Sequence, residues 1–324
     1  MTEKFKWGII GTGAITNKFT ADLANLPDAV PYAVGSRSQA SADTFAEKFS
    51  MPKAYKGYEA VMADPDVDAI YIGTPHPFHK ENTIACLEAG KPVLCEKPFA
   101  INSADAIEMV NKAREKGVFL MEAMWTRFLP VQLKVQEWLK KGEIGDVLSL
   151  TCDFGFRTDF NPEGRLFNPE LGGGALLDVG IYTISYASMV FGQQPEKIHA
   201  DAFLGKSGVD EQNAQIFTYA DGQQAILSSA IRIATEHRAR ISGTQGSIVT
   251  PNFWHATEAT ITNTKGKSKT VTGEYGYQFE AAEVANCVKS GKLESDRMPL
   301  DETIAIMQTL DSIRAQIGLS YPME

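Results

Sequence analysis

The chain's first apolar run ends on a glycine. In KWGIIGTGAIT, Trp7, Ile9 and Ile10 make a buried-strand pattern that stops at Gly11, and a helix-compatible stretch follows from Ile15 to Leu26. A strand, a tight turn and a helix in that order call for a parallel sheet joined by helical crossovers. Gly11 suits the tight turn. Gly13 lets the backbone approach a pyrophosphate, with Ala14 and Ile15 opening a helix whose unpaired N–H groups and dipole favour an anion. The third position of such a turn, usually Gly or Ala, is Thr16 here, which predicts looser packing of helix on strand.

The same alternation continues through the first half of the chain. Val30–Gly35 reads as a strand, Ala40–Phe49 as a helix and Tyr58–Ala63 as a second amphipathic stretch. VDAIYIGTP, PVLCEKP and VFLMEA read as strands, separated by helices over His79–Ala89 and Ala104–Lys116. The expected fold is α/β, with a doubly wound Rossmann domain over residues 1–123. Two segments then fall at the edge of the sheet where such folds bind ligands: Thr74-Pro75-His76-Pro77-Phe78-His79 and Glu96-Lys97-Pro98. A lysine there can donate to a substrate oxygen or lower the pKa of a neighbouring acid. A histidine there titrates near neutrality, and it can equally cap the helix that follows.

From Asp146 onward the pattern changes to alternating strands with short turns: VLSLTCDFGF, KIHADAFL, AQIFTYA, AILSSAIRI, ARISGT, EATITNT and KTVTGE. This predicts a second, α+β domain over residues 124–324, built on a large mostly antiparallel sheet. Helices are expected in GGALLDVGIYTISYASMVFG, over Gln278–Ser290 and over Leu300–Ile317, the last able to pack back on the first domain. One face of such a sheet needs a cover, which predicts a homodimer or homotetramer through this domain.

A net charge of −9 without a basic patch argues against nucleic acid or an anionic membrane as partner. The N-terminus lacks the long apolar region of a signal peptide, and a cytoplasmic location is expected. Cys86, Cys95, Cys152 and Cys287 are widely spaced, with no CxxC pair, so neither a zinc site nor a disulfide framework is expected.

Cofactor choice is read at the end of the second strand. Where an NAD enzyme usually carries an Asp or Glu for the ribose hydroxyls, this chain has Ser36-Arg37-Ser38. A guanidinium beside hydroxyls suits the 2′-phosphate of NADP, with NAD also usable. In the second half, Asp178 and Tyr182 share a helical face behind the run Gly172-Gly173-Gly174, and Tyr186 continues that face. Spacing alone does not choose between the two tyrosines.

Read together, GTGAIT, TPHPFH, AGKPVLCEKP, EAMWTRF and GGGALLDVGIY make a chain that resembles the Gfo/Idh/MocA family of dinucleotide-dependent oxidoreductases along essentially its full length. The resemblance implies a catalytic Lys97 next to Glu96, and a nicotinamide ribose lined by Thr74, Pro75, His76 and His79. It also implies Trp125 and Arg127 near the nicotinamide, and Tyr182 as the acid/base. Many relatives have His where this chain has Tyr182, and a Tyr there is similar to the branch of dihydrodiol dehydrogenases and NADP-dependent xylose dehydrogenases. The expected reaction is hydride transfer between nicotinamide and a secondary alcohol or carbonyl of a sugar or trans-dihydrodiol. Tyr182 would be general acid/base, Lys97 its electrostatic partner and Asp178 a positioning residue. Two other readings stand beside it: an NAD-assisted glycosidase with a retained cofactor, and a non-catalytic dinucleotide sensor. Phe154, Phe156, Trp254 and Phe279 are candidates, with Trp125, for an aromatic wall.

Overall fold

The computed structural model describes residues 4–324. The chain divides into two compact units: one runs through Trp125 and includes Gly276–Ile304, and the other comprises Thr126–Tyr275 and Ala305–Glu324.

In the first unit, β1 (Phe5–Ile10), β2 (Ala29–Ser36), β3 (Lys53–Lys56), β4 (Ala69–Ile72), β5 (Val93–Glu96) and β6 (Leu120–Ala123) form one parallel sheet. Its order is β3-β2-β1-β4-β5-β6. The chain winds outward from β1 in one direction and then the other, as the alternation in the sequence predicts. The crossovers include α1 (Ala14–Asp22), α2 (Gln39–Phe49), a short α3 (Glu59–Ala63), α4 (His79–Glu88) and α5 (Ser103–Lys116). Side chains set the helix starts: Ser38 Oγ accepts the Ser41 N–H at 3.2 Å, and Asn102 Oδ1 accepts the Asp105 N–H at 2.9 Å. The expected helix from Ile15 to Leu26 is shorter, since α1 ends at Asp22 and Leu23–Asn25 tightens into a 3-10 turn. β3 was not foreseen: its four residues, Lys-Ala-Tyr-Lys, are partly exposed and carry no apolar alternation.

Thr16 does not loosen the packing. Its side chain is fully buried, its hydroxyl donates to Gly13 O at 2.8 Å, and its methyl occupies the space over Gly73. A Cβ on Gly73 would lie 2.5 Å from Thr16 Cγ2. The bare position has moved from the helix to the strand end that faces it.

Gly276–Ile304, assigned to the second domain from sequence, folds with the first unit. The reason is local: α8 (Gln278–Lys289) buries Ala281, Val284 and Ala285. The Tyr277 N–H donates to Asp22 Oδ2 at 2.8 Å, and Leu120 N–H to Leu293 O at 3.1 Å.

The second unit opens with α6 (Pro130–Lys140), absent from the sequence reading, which buries Val131, Val135 and Trp138. Its sheet contains β7 (Val147–Gly155), β8 (Lys197–Leu204), β9 (Asp210–Thr218), β10 (Gln224–Ala230), β11 (Ala239–Gly243), β12 (Gly246–Thr250), β13 (Glu258–Asn263) and β14 (Ser268–Thr272). The order is β14-β13-β12-β11-β7-β10-β9-β8. Every pairing is antiparallel except β7 with β10, where Gln224 to Ala230 run beside Ser149 to Gly155. Inward residues Leu150, Cys152, Phe154, Phe217, Ala225, Leu227 and Ile241 are buried. α7 (Ile181–Phe191) packs on β7 and β10. The last helix, α9 (Leu300–Ile317), contains the point where the two units divide. All four cysteines are free and buried, Cys86, Cys95 and Cys287 in the first unit and Cys152 in the second.

The close approach at Gly73 has a testable cost. Gly73→Ala should lower stability by about 1–3 kcal/mol, the usual scale of overpacking. Adding Thr16→Ser, which removes the methyl and keeps the hydroxyl, should return most of it in denaturant unfolding. A double variant as unstable as Gly73→Ala would place the clash elsewhere.

Candidate functional site

The sheet edge of the first unit gathers the residues expected there. Gly11 leaves β1 with φ of 98°, a conformation that disfavours any side chain, and its N–H reaches Gly35 O at 3.0 Å. Gly13 stands at the N-cap of α1 with no side-chain cap. Nothing lies within 4 Å of where its Cβ would be. With Ala14 exposed and Ile15 half-buried beyond it, the first turn of α1 offers an anion both N–H groups and open space. These residues fit a dinucleotide pyrophosphate. Ser36 is buried and its hydroxyl meets that of Thr12 at 3.2 Å. Arg37, next along, is exposed and makes no ion pair among the described residues.

His79 is enclosed at the start of α4, with Nδ1 2.9 Å from Pro98 O and Nε2 2.9 Å from Thr74 O. It ties the loop after β4 to the loop after β5. Burial holds its pKa below the usual imidazole value, although both carbonyls pull the other way. Thr74 is buried, with its hydroxyl accepting from Asn82 at 3.3 Å. Pro75 is exposed, and the buried His76 ring stands edge-on to His79 at 5.8 Å.

Behind Lys97 lies a group of acids. Tyr71, fully buried and stacked on Phe19, donates to Glu96 Oε1, while Glu96 Oε2 accepts the Lys97 N–H at 3.1 Å. The carboxylate therefore fixes the backbone from which Lys97 projects, half-buried. Glu280 on α8 is fully enclosed, and neither of its oxygens has a hydrogen-bond partner. Burial first, and the nearby Glu96 second, push its pKa well above the carboxylate range, so it is held neutral. Trp125 is buried and stacks on Tyr277 at 4.5 Å.

The candidate tyrosine, Tyr182, lies in the second unit. Asp178 lies in a wide π-helical turn, Leu176–Gly180, that runs directly into α7, and Tyr182 is that helix's second residue. Such turns recur at functional sites. Arg165 clamps Asp178, with Nη1 to Oδ1 at 2.7 Å and Nη2 to Oδ2 at 3.4 Å. The Tyr182 ring is 5.5 Å from Phe154 and 6.2 Å from Trp254, and those two stack on each other at 4.7 Å. Phe156 continues the group at 6.5 Å from Phe154. His237, at φ of 55°, orders this wall. Its Nδ1 accepts from Trp254 Nε1 at 3.3 Å, so the proton sits on Nε2, which donates to Gly155 O at 2.6 Å. Tyr186 is buried against Phe253, and burial raises its pKa. Arg127 is buried too, donating to Ser185 Oγ at 3.2 Å and Ser185 O at 2.9 Å, so its guanidinium braces α7.

Residues 5–124 match the oxidoreductase family with an NAD-binding Rossmann fold, GFO/IDH/MocA, and residues 132–249 match the GFO/IDH/MocA C-terminal domain. The chain belongs to the GFO/IDH/MocA oxidoreductases. It is an NAD(P)-dependent dehydrogenase of that family. It is 40% identical to trans-1,2-dihydrobenzene-1,2-diol dehydrogenase of Xenopus laevis, over 98% of this chain and 99% of that one. It is 37% identical to the human protein of the same name, over 98% of each. Among solved structures it resembles a 3-ketoreductase from Actinomadura kijaniata in complex with NADP and TDP-benzene, with a TM-score of 0.85 and 25% identity over 97% of this chain and 98% of the other. The fold also matches aldose-aldose oxidoreductase from Caulobacter crescentus, with a TM-score of 0.89 and 23% identity over 97% of both chains.

Sequence reasoning about this GFO/IDH/MocA chain did not find Tyr71, Glu280, Arg165 or His237. Each acts through a partner at least 13 residues away, and none carries a spacing signal. Among the described residues no cluster of His, Cys, Asp and Glu is arranged to hold a metal ion.

Proposed function

We propose that this protein oxidises a trans-dihydrodiol or sugar alcohol, or reduces the corresponding carbonyl, with NADP, using Tyr182 as general acid/base and Lys97 as its electrostatic partner. The observation that carries the reading is the placement of Tyr182 at the start of α7 against the stacked pair of Phe154 and Trp254. A ring-bearing diol or the apolar face of a sugar suits such a wall. The diol dehydrogenase relatives, similar over nearly their whole length, favour the diol.

The nicotinamide, when bound, supplies the hydride acceptor or donor. Gly13, Ala14 and Ile15 would hold the pyrophosphate, Ser36 and Arg37 the 2′-phosphate, and Thr74, Pro75 and His76 the ribose, while the enclosed His79, expected there too, has both ring nitrogens on backbone carbonyls and braces the loop behind them. Tyr182 takes the hydroxyl proton in oxidation and returns it in reduction. A free phenol has a pKa near 10, and an ammonium beside it favours the phenolate. Lys97 brings that charge on a backbone pinned by Glu96. Asp178, held by Arg165, steadies the turn before Tyr182. The exposed, unpaired Arg37 favours an exchangeable NADP over a retained NAD, which disfavours the glycosidase reading.

A second copy is proposed to cover the outer face of the large sheet. Ile216 and Ile226 are paired neighbours there, both about half exposed at 45% and 50%, and Phe203 is 58% exposed. Together with Ile233 at 49%, Phe203 lines a concavity of 430 Å³. Lone apolar residues are ordinary on a surface, but a cluster on one sheet face marks an interface.

Sedimentation at micromolar concentration should find a dimer or tetramer, and Ile216→Lys combined with Ile226→Lys should give monomers; a monomeric wild type refutes the interface. Arg37→Asp should raise the Kd for NADP by about tenfold to a hundredfold, the scale of one lost charge-assisted contact plus repulsion, and change that for NAD far less. Equal losses for both would mean that Arg37 does not read the phosphate. Tyr182→Phe should lower turnover by about 100-fold or more while cofactor affinity survives. Near-native turnover on a verified diol would remove Tyr182 from the acid/base role.

A further inference from the structure

Beneath the turn that carries Asp178 runs a buried polar rail. Asp210, the first residue of β9, is fully enclosed, and its Oδ2 accepts the Leu176 N–H at 2.8 Å and Asn213 Nδ2 at 2.6 Å. Asn213 Oδ1 in turn accepts from Ser229 Oγ at 2.8 Å and Gln215 Nε2 at 2.6 Å. Ser229 Oγ lies 2.9 Å from where a Cβ on Gly180 would be. The rail thus touches the π-helical turn at its first residue, Leu176, and at its last, Gly180. Tyr182 is on the turn that follows.

The entry to the turn is just as constrained. Gly174 has φ of 114°, and a Cβ on it would lie 2.2 Å from Asp210 Oδ1. Gly173 O accepts the Tyr321 hydroxyl at 2.8 Å. Asp210 Oδ1 itself has no hydrogen-bond partner. An acid proton there has nothing to donate to, whereas the ionised group makes two charge-assisted bonds through Oδ2.

The geometry points to Asp210 as a positioning residue for catalysis: through Leu176, and through Asn213 and Ser229, it sets the pitch of the turn that presents Tyr182, and its protonation is felt there as lost turnover. This rests on Tyr182 being the acid/base. Burial pushes the Asp210 carboxyl up to about 7, against the Asn213 and Leu176 bonds, so both forms are populated near neutrality. The other charged groups around the rail are already engaged. Tyr321 carries a pKa raised by burial and by Asp210, and Arg314 is paired with Glu324 and Asp311 behind it. Arg165 is paired with Asp178, and Arg232 with Glu211 at 3.6 Å.

The sign follows. A carboxyl with a raised folded pKa keeps its proton after the unfolded chain has lost it. Stability from this group is full below about 4 and declines as pH rises to about 7. Asp210→Asn keeps an acceptor for Leu176 and cannot ionise. In urea unfolding from pH 5 to 9, wild type should lose stability relative to Asp210→Asn between pH 5 and 7 and run parallel above it. In steady-state kinetics with NADP and a verified diol, wild-type kcat should rise through an inflection near pH 7, by roughly tenfold as for a modest misplacement. KM for NADP should stay unchanged. Asp210→Asn should lack that inflection, and Asn213→Ala, which removes a bond to the charged form, should move it to higher pH. Stability profiles that stay parallel for wild type and Asp210→Asn, or an inflection that persists in Asp210→Asn, overturn the proposal. The unfolding comparison needs no active Tyr182, so a failure of the acid/base assignment, seen as an active Tyr182→Phe, is separable from a failure of this one.

Discussion

The parallel pairing of β1 with both β2 and β4 is the constraint from which the first unit's chemistry follows. Parallel neighbours end on the same side, so Ile10, Ser36, Ile72 and Glu96 finish at one edge of the sheet. Gly11, Arg37, Thr74 and Lys97 each lie within two residues of those ends. Because β1 lies at the centre and the chain leaves it in both directions, the loops after β1 and β4 diverge and leave a crevice. The Gly73 and Thr16 contact keeps α1 close enough for its first turn to face that crevice.

Much of this was legible in the amino-acid sequence because it is local. Gly11 and Gly13 announce a turn through missing side chains, and Val93–Glu96 announces a strand through a run of buried residues. Most of the second sheet was legible through period-two alternation, as in Lys197–Leu204, where exposure alternates residue by residue. The failures share one cause. β3 carries too little apolar surface for a period, and Gly276–Ile304 is placed by hydrogen bonds to Asp22 and Leu120 that span most of the chain. The parallel pairing of β7 and β10 depends on the two strands and the helix that intervene in sequence, so no short pattern reports it. At the site, Tyr182 was visible as a candidate, but Arg165, His237 and Asp210 were not, since tertiary pairing alone brings them to it.

Buried acids are the unusual expense of this fold. Glu280 and Asp210 are each fully enclosed with at least one oxygen unpartnered. Hydrocarbon of similar shape would fill either space at lower cost, on the order of 1–3 kcal/mol for each unmet polar group. Glu280 feels the charge of Glu96, which accepts the Lys97 N–H, and Asp210 lies beneath the turn that carries Asp178. Polar groups retained in such positions fix a geometry more narrowly than apolar packing does.

The four cysteines have a use that follows from their burial. A thiolate is the reactive form, and enclosure raises the pKa of all four, that of Cys287 to about 11. Alkylating reagents therefore meet a protein that is silent while folded. Each thiol begins to react only when the structure around it opens, so its labelling rate is a clock for that opening. Cys152 keeps time for the large sheet, and Cys86 and Cys95 for the parallel one, which lets a single mass-spectrometric time course follow the breathing of both units with no label added by design.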